Sequence, residues 1–173
     1  MPKSLENQTQ NKIKSFAEIS QILETFKKKG AKVVQCHGVF DLLHPGHFRH
    51  FREAKAQGEC LVVTVTPDRF VNKGPGRPVF TEMLRLESLA ALEDVDYVVL
   101  LPPHLKDPDY DHMIKALKPA IIATTKGDVN RNNKERQANL VNADIVDVVP
   151  VIADHSTTRL IEIIKGLYSG ERV

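Results

Sequence analysis

Apolar residues in this chain gather in five short runs: Lys32–Cys36, Cys60–Thr66, Tyr97–Leu101, Ala120–Thr124 and Ile145–Val151. They barely alternate with polar positions, so each reads as a strand buried on both faces. Between them lie stretches with helical spacing: Gly46–Gln57, Thr81–Leu92, Tyr110–Leu117, Asn132–Val141 and Ser156–Tyr168. Ahead of the first run, Ser15 and Glu18 have capping-box spacing. Phe16, Ile19, Ile22, Leu23 and Phe26 then share one helical face until Gly30 stops it. Such strands separated by helices predict an α/β fold: a doubly wound, Rossmann-like, five-stranded parallel sheet with helices on both faces. In that architecture ligands sit beyond the carboxyl ends of the strands. Four polar segments, His37–His47, Pro67–Arg77, Lys126–Asn130 and Asp154–Thr158, each follow a strand, so they are expected to converge on one sheet edge.

The 173 residues suit a single domain over 13–173, after a polar segment 1–12 expected to be a disordered tail. A net charge of +2 gives no basic field of the kind that nucleic acid selects. No apolar run reaches membrane-spanning length, and the first residues lack a signal-peptide core. Cys36 and Cys60 fall in expected buried strands, where they act as small apolar side chains. These features fit a cytoplasmic protein with no nucleic-acid or membrane partner.

The most informative stretch is His37-Gly-Val-Phe-Asp-Leu-Leu-His44-Pro-Gly-His47, between an expected strand and an expected helix. A helix start carries unpaired N–H groups and partial positive charge, which favour phosphate. His44 and His47 share a helix face and can touch one bound group together. They read as phosphate contacts, and Gly46 lets backbone come close to the anion. A metal site is the alternative, because His50 continues the spacing, but three such residues drift around a helix and no carboxylate cluster accompanies them. Asp41 either braces this loop or takes part in magnesium binding. Ser156 reads as an N-cap, and a capped helix start is also an anion site.

Gly38-Val-Phe-Asp41-Leu-Leu-His44-Pro-Gly-His47 resembles the HxGH signature of the cytidylyltransferase-like nucleotidyltransferases. Lys73-Gly-Pro-Gly-Arg77-Pro-Val is similar to a segment of the heptose-phosphate adenylyltransferase domain of bifunctional heptose kinase/adenylyltransferases. Asp154-His-Ser156-Thr-Thr-Arg159-Leu-Ile resembles the last family motif, and Lys126-Gly127-Asp128 its KGxD-type loop. The motifs stand in family order, and the resemblance spans roughly residues 30 to 168.

The resemblance implies transfer of a nucleoside monophosphate, AMP favoured, from a triphosphate to a heptose-type sugar 1-phosphate, with release of pyrophosphate. It implies His44, His47 and Lys73 as catalytic residues. It places Gly38, Val39, Phe40, Gly46, Lys126, Asp128, Ser156, Thr157 and Thr158 at the nucleotide, and Asp41, Asp68 and Arg77 at the acceptor. Mg²⁺ would arrive with the triphosphate rather than on protein ligands. Relatives imply a homodimer, and a separate kinase would make the acceptor. A CTP-dependent enzyme acting on a small phosphorylated alcohol or sugar, a non-catalytic nucleotide-binding module and, more weakly, a metal-dependent hydrolase remain alternatives. The chain departs from the family pattern at His37, His155, Val129 and the polar segment Asn130 to Lys134.

Overall fold

The apolar runs lie side by side and all parallel, and with one short edge strand they follow the order β1 (Ile13–Lys14), β4 (Tyr97–Leu100), β3 (Cys60–Val65), β2 (Val33–Gly38), β5 (Ile121–Lys126), β6 (Asp144–Pro150). The computed structural model describes residues 5–102, 107–150 and 156–169. The five expected strands are β2 (Val33–Gly38), β3 (Cys60–Val65), β4 (Tyr97–Leu100), β5 (Ile121–Lys126) and β6 (Asp144–Pro150). Among the described residues the sheet has six strands rather than the expected five. The additional strand, β1 (Ile13–Lys14), pairs with β4 at the edge, Ile13 opposite Val98 and Lys14 opposite Val99. Two residues are too short to carry an alternation signal, and their pairing depends on a strand far along the chain.

Helices cover both faces. Phe51 and Ala54 of α3 (Pro45–Lys55) and Leu86, Leu89 and Ala90 of α4 (Glu82–Ala90) pack on one side. Ile19 and Leu23 of α2 (Phe16–Lys28), Met113, Ile114 and Leu117 of α5 (Asp107–Leu117) and Ala138 of α6 (Arg131–Val141) pack on the other. The capping box forms as expected: Ser15 Oγ accepts from Glu18 N, and Glu18 Oε2 accepts from Ser15 N at 2.8 Å. Segment 1–12, expected as a tail, contains α1 (Leu5–Lys12), and Lys12 Nζ donates to Leu92 O at 2.8 Å. Both cysteines are buried and free, and burial pushes the Cys36 thiol up to about 12. Among the described residues no helix is long and apolar enough to cross a membrane.

Strand order reverses at β2. Its C-terminal end leads to α3, and the neighbouring β5 leads to α6. A crevice opens at such a switch point, because the connections on its two sides leave in opposite directions. Helix α7 (Thr157–Ser169) begins at the same crevice, where Thr157 Oγ1 donates to Leu42 O at 3.1 Å.

Candidate functional site

The chain leaves β2 through a strained turn. Phe40 adopts φ 50°, a left-handed conformation that is costly for a bulky side chain. Its ring folds back over Gly38, where an added Cβ would lie 2.9 Å from it. That ring packs edge-on against His47, with centroids 5.5 Å apart, and against Phe51 at 5.1 Å.

His44 caps α3 with its own imidazole: Nδ1 accepts from Gly46 N at 3.1 Å. Its carbonyl accepts from His47 N at 2.8 Å and Phe48 N at 3.3 Å, and Pro45 has no N–H. The first turn therefore offers no open amide to a phosphate, which corrects the expectation drawn from helix starts in general. The side chains carry the donors instead. A neutral His44 that accepts at Nδ1 keeps its proton on Nε2. The His47 ring lies 3.9 Å from it, tilted by 35°. His47 Nδ1 is buried with no partner among the described residues. An orphan acceptor is easier to bury than an orphan donor, so its proton also sits on Nε2. Burial first, then the His44 and His50 rings, pushes the His47 pKa down to about 3. His50 turns away from the pair: Nε2 is 3.3 Å from Cys36 Sγ and Nδ1 is 3.2 Å from Thr125 Oγ1.

Asp41 is a brace. Only 2% exposed, it accepts from Arg77 Nε at 2.8 Å, Val79 N at 2.9 Å and Phe80 N at 3.0 Å. It ties the basic loop to the β2–α3 turn and has little capacity left for a substrate. Arg85, which motif reading missed, is fully buried beneath both. It donates to the carbonyls of Val39, Thr66 (2.8 Å) and Phe80 (3.2 Å), and pairs with Asp68 Oδ1 at 2.7 Å. Its signal was an arginine four residues before Leu89, on a stripe otherwise apolar. Asp68, expected at the acceptor, does not line the cleft. Its second oxygen accepts from Glu82 N at 3.0 Å, and its own N–H donates to Glu82 Oε2. Being next to a strand end put it near the site, and the start of α4 claimed its carboxylate.

The opposite wall comes from β5 and α6. Asp128 accepts from Asn130 N at 2.8 Å, Thr124 Oγ1 at 3.0 Å and Lys134 Nζ at 2.6 Å. Burial works to raise its pKa, but Lys134 and the other donors outweigh it and the net shift is downward. Asn133, Lys134 and Gln137 line the cleft from α6, a helix whose only buried residue is Ala138. That missing apolar stripe was the available sign of a polar inward face. Lys126 is exposed at the end of β5, outside the cleft lining.

At α7, Ser156 Oγ accepts from Arg159 N at 3.2 Å, the expected N-cap. Arg159 pairs with Glu162 at 3.5 Å on the helix surface. Asp154 and His155 lie outside the described residues.

These parts enclose a cleft of about 610 Å³. It brings together His44, His47, Lys73, Arg77, Gly38, Val39, Phe40, Asp41, Asp128, Ser156, Thr157 and Thr158. Gly46 and His50 line an adjoining recess of about 260 Å³. Sequence reasoning missed Thr66, Tyr110, Arg136 and Gln137, which also face the cleft, and named no residue role for Phe70 and Asn72 inside the segment Pro67–Arg77. Lys73 is exposed at the mouth, between Gly74 and Gly76 with φ of 90° and 75° on one side and Asn72 on the other. Among the described residues the cleft's carboxylates, Asp41 and Asp128, are each paired with a cation, so the remaining charge of those residues is positive and suits a polyphosphate.

Comparison with known proteins agrees with this geometry. A family profile described as cytidylyltransferase-like matches residues 35–163. The "Bifunctional protein HldE" of Desulfatibacillum aliphaticivorans is 33% identical over 166 residues, covering 91% of this chain and 32% of that one. Its namesake in Sulfurimonas denitrificans is 38% identical over 156 residues, covering 89% and 31%. The chain thus spans about a third of the length of these curated relatives. The crystal structure of a lipopolysaccharide core biosynthesis protein from Thermoplasma volcanium superposes with a TM-score of 0.56 and 27% identity, covering 71% of this chain and 98% of that one. A pantothenate synthetase from Thermus thermophilus, at TM-score 0.60 and 14% identity over 92% and 77% of the two chains, shares the fold.

Proposed function

The chain belongs to the cytidylyltransferase-like family, and from that premise we propose that it is a nucleotidyltransferase. It transfers a nucleoside monophosphate, AMP, from the triphosphate to a sugar 1-phosphate of the heptose type and releases pyrophosphate. One observation carries the reading. Two contacting imidazoles, with ring centroids 3.9 Å apart, line a cleft that also receives Lys73, Arg77 and the start of α7.

A phosphate oxygen of the acceptor attacks the α-phosphorus, and the bond from that phosphorus to the bridging oxygen breaks. The electron pair leaves with pyrophosphate. The attacking phosphate is already ionised, so the reaction needs positioning and charge stabilisation more than a base. His44 and His47 supply neutral donors where charge builds. Lys73 and Arg77 close over the phosphates, with Arg77 held at Nε by Asp41.

The donor set fits a magnesium ion that rides on the triphosphate. Asp41 and Asp128 are taken by donors of the protein itself, so phosphate oxygens would supply the ligands. Held this way, the ion would supply charge neutralisation for the pyrophosphate.

The choice of acceptor rests on the similarity of Lys73-Gly-Pro-Gly-Arg77-Pro-Val to the heptose-type segment. The lipopolysaccharide core biosynthesis protein among the structural neighbours supports a sugar. A homodimer belongs to the same proposal, and sedimentation tests it. The deciding experiment screens pyrophosphate release from the four nucleoside triphosphates against phosphorylated sugars and polyols. ATP with a heptose 1-phosphate should give the largest kcat/KM. Release with CTP and a polyol phosphate instead would reassign the substrates. Nucleotide binding without release on any acceptor would leave a binding module.

A further inference from the structure

The cleft's cationic side chains, Lys73, Arg77 and Lys134, and the two Nε2 atoms donate. The lining around His37 differs, where Thr66 and Tyr110 stand against its ring. The His37 ring stands edge-on to Tyr110, with centroids 5.5 Å apart and planes at 74°. Its Nδ1 lies 3.2 Å from Thr64 O and 3.1 Å from Thr64 Oγ1. A carbonyl oxygen only accepts, so Nδ1 carries the proton. Thr64 Oγ1 is fixed in turn: it donates to Cys36 O at 3.2 Å and receives Gln35 Nε2 at 2.9 Å.

This tautomer is opposite to that of His44 and His47. It leaves His37 Nε2 with a lone pair, and its nearest partner, Thr66 Oγ1, is a long 3.5 Å away. Burial first, and then Lys134, pushes the His37 pKa down to about 4 against the opposing bond to Thr64, so the ring stays neutral near pH 7. A neutral acceptor repels phosphate oxygens and attracts O–H. The Tyr110 ring beside it gives the C–H faces of a carbohydrate an apolar surface.

We infer that the part of the cleft around His37 holds the hydroxylated body of the acceptor, with His37 Nε2 receiving one of its hydroxyls. The assignment rests on the nucleotidyltransferase reading and deepens it: the donor groups take phosphates and the His37 acceptor takes a neutral polyol. His37 is therefore a specificity-determining residue. Its position precedes the Gly38 of the HxGH signature, where this chain departs from the family pattern.

The test is a cycle between a side chain and a substrate group. Wild type and His37→Ala are assayed for pyrophosphate release with ATP and a panel of sugar 1-phosphates, each lacking one hydroxyl. One deoxy acceptor should lower the wild-type kcat/KM by roughly tenfold to a hundredfold, the scale of a buried hydrogen bond left unmade. His37→Ala should show the same loss on the full acceptor and no further loss on that deoxy one. Its KM for nucleotide should stay within about twofold of wild type. His37→Gln, which keeps an acceptor atom, should recover part of the loss. A second reading needs no variant: the Nε2 nitrogen resonance of His37 in wild type should move on adding the sugar phosphate and not on adding nucleotide. Equal kcat/KM for wild type and His37→Ala, a rise in nucleotide KM alone, or a resonance that answers only to nucleotide would each overturn the inference. Wild type that releases no pyrophosphate with any acceptor would overturn the functional reading instead.

Discussion

Helices α3 and α7 both begin at the cleft, and both are capped by the residue before them, yet their first turns are spent differently. In α3, His44 takes Gly46 N on its ring and the next two amides on its carbonyl, and Pro45 contributes none. In α7, Ser156 takes Arg159 N on its hydroxyl and Leu160 N on its carbonyl. Helix geometry leaves the Thr157 and Thr158 amides without an intrahelical acceptor. One helix start is closed and presents two imidazoles in fixed tautomers. The other presents backbone. A helix dipole alone therefore does not make an anion site, because the cap decides whether amides or side chains meet the ligand. Rigid donors aimed at developing charge should govern turnover. Amides that grip phosphate in both ground and transition states should govern affinity.

The largest effect should come from α3. His44→Ala and His47→Ala should lower kcat by about 10²–10³-fold, the size of one lost transition-state donor. Capping and catalysis can be separated there. His44→Ala should also cost about 1 kcal/mol in urea unfolding through the lost cap, whereas Asn at this position caps well. His44→Asn should therefore keep stability and lose turnover. Near-normal turnover in His44→Asn would make the imidazole a cap and nothing more. His47 packs on Phe40, so His47→Ala should lose stability as well as rate, unlike a residue standing in open solvent.

The basic loop asks which helix it resembles. Lys73 is exposed at the mouth, and Lys73→Ala should lose about tenfold to a hundredfold in kcat, the range for a hydrogen bond to a charged group. Arg77→Ala should chiefly raise an apparent KM, since Arg77 also anchors the loop to Asp41. Matching kinetic signatures in the two variants would dissolve that distinction.

On α7, Ser156→Ala should raise the nucleotide KM by roughly tenfold at most, the ceiling set by loss of an N-cap, with kcat nearly unchanged. A fall in kcat at constant KM would place α7 with α3.

The smallest effect is one of pH. His37, His47 and His50 have folded pKa values of about 4, 3 and 4, set first by burial in each case. The unfolded chain takes up protons near 6.5 and the folded one does not, so the unfolded state binds more protons in that interval. Stability should be full above about pH 6.5 and fall as pH drops toward 4, by a fraction of a kcal/mol per histidine between pH 7 and 6. Urea midpoints across that range for wild type and His47→Gln test it, and parallel profiles would remove His47 as a contributor.

Much of this was legible in the chain. Non-alternating apolar runs separated by helical spacing reveal five strands, because burial on both faces leaves a compositional trace. Strand β1 left none. The Ser156 cap could be read from local spacing, and at Asp41 the brace was one of two open readings, whereas its place at the acceptor was not met. The expectation about α3 amides failed on one point of chemistry: a histidine before Pro-Gly can cap its own helix through Nδ1. Asp68 was misplaced, and Arg85 and Tyr110 went unseen, because their partners lie in other segments and no local pattern encodes a contact between segments distant in the chain.

Arg85 reaches three such segments at once, accepting none and donating to the carbonyls of Val39, Thr66 and Phe80. A buried guanidinium cannot release one of them without leaving both it and the carbonyl dry and unpaired. The turn after β2, the end of β3 and the base of the basic loop should therefore loosen as a single event rather than fray one by one. Hydrogen exchange should show their amides sharing one opening free energy, and Arg85→Met should split them into separate classes. The cleft would then owe its shape between catalytic cycles to a side chain that never meets the substrate.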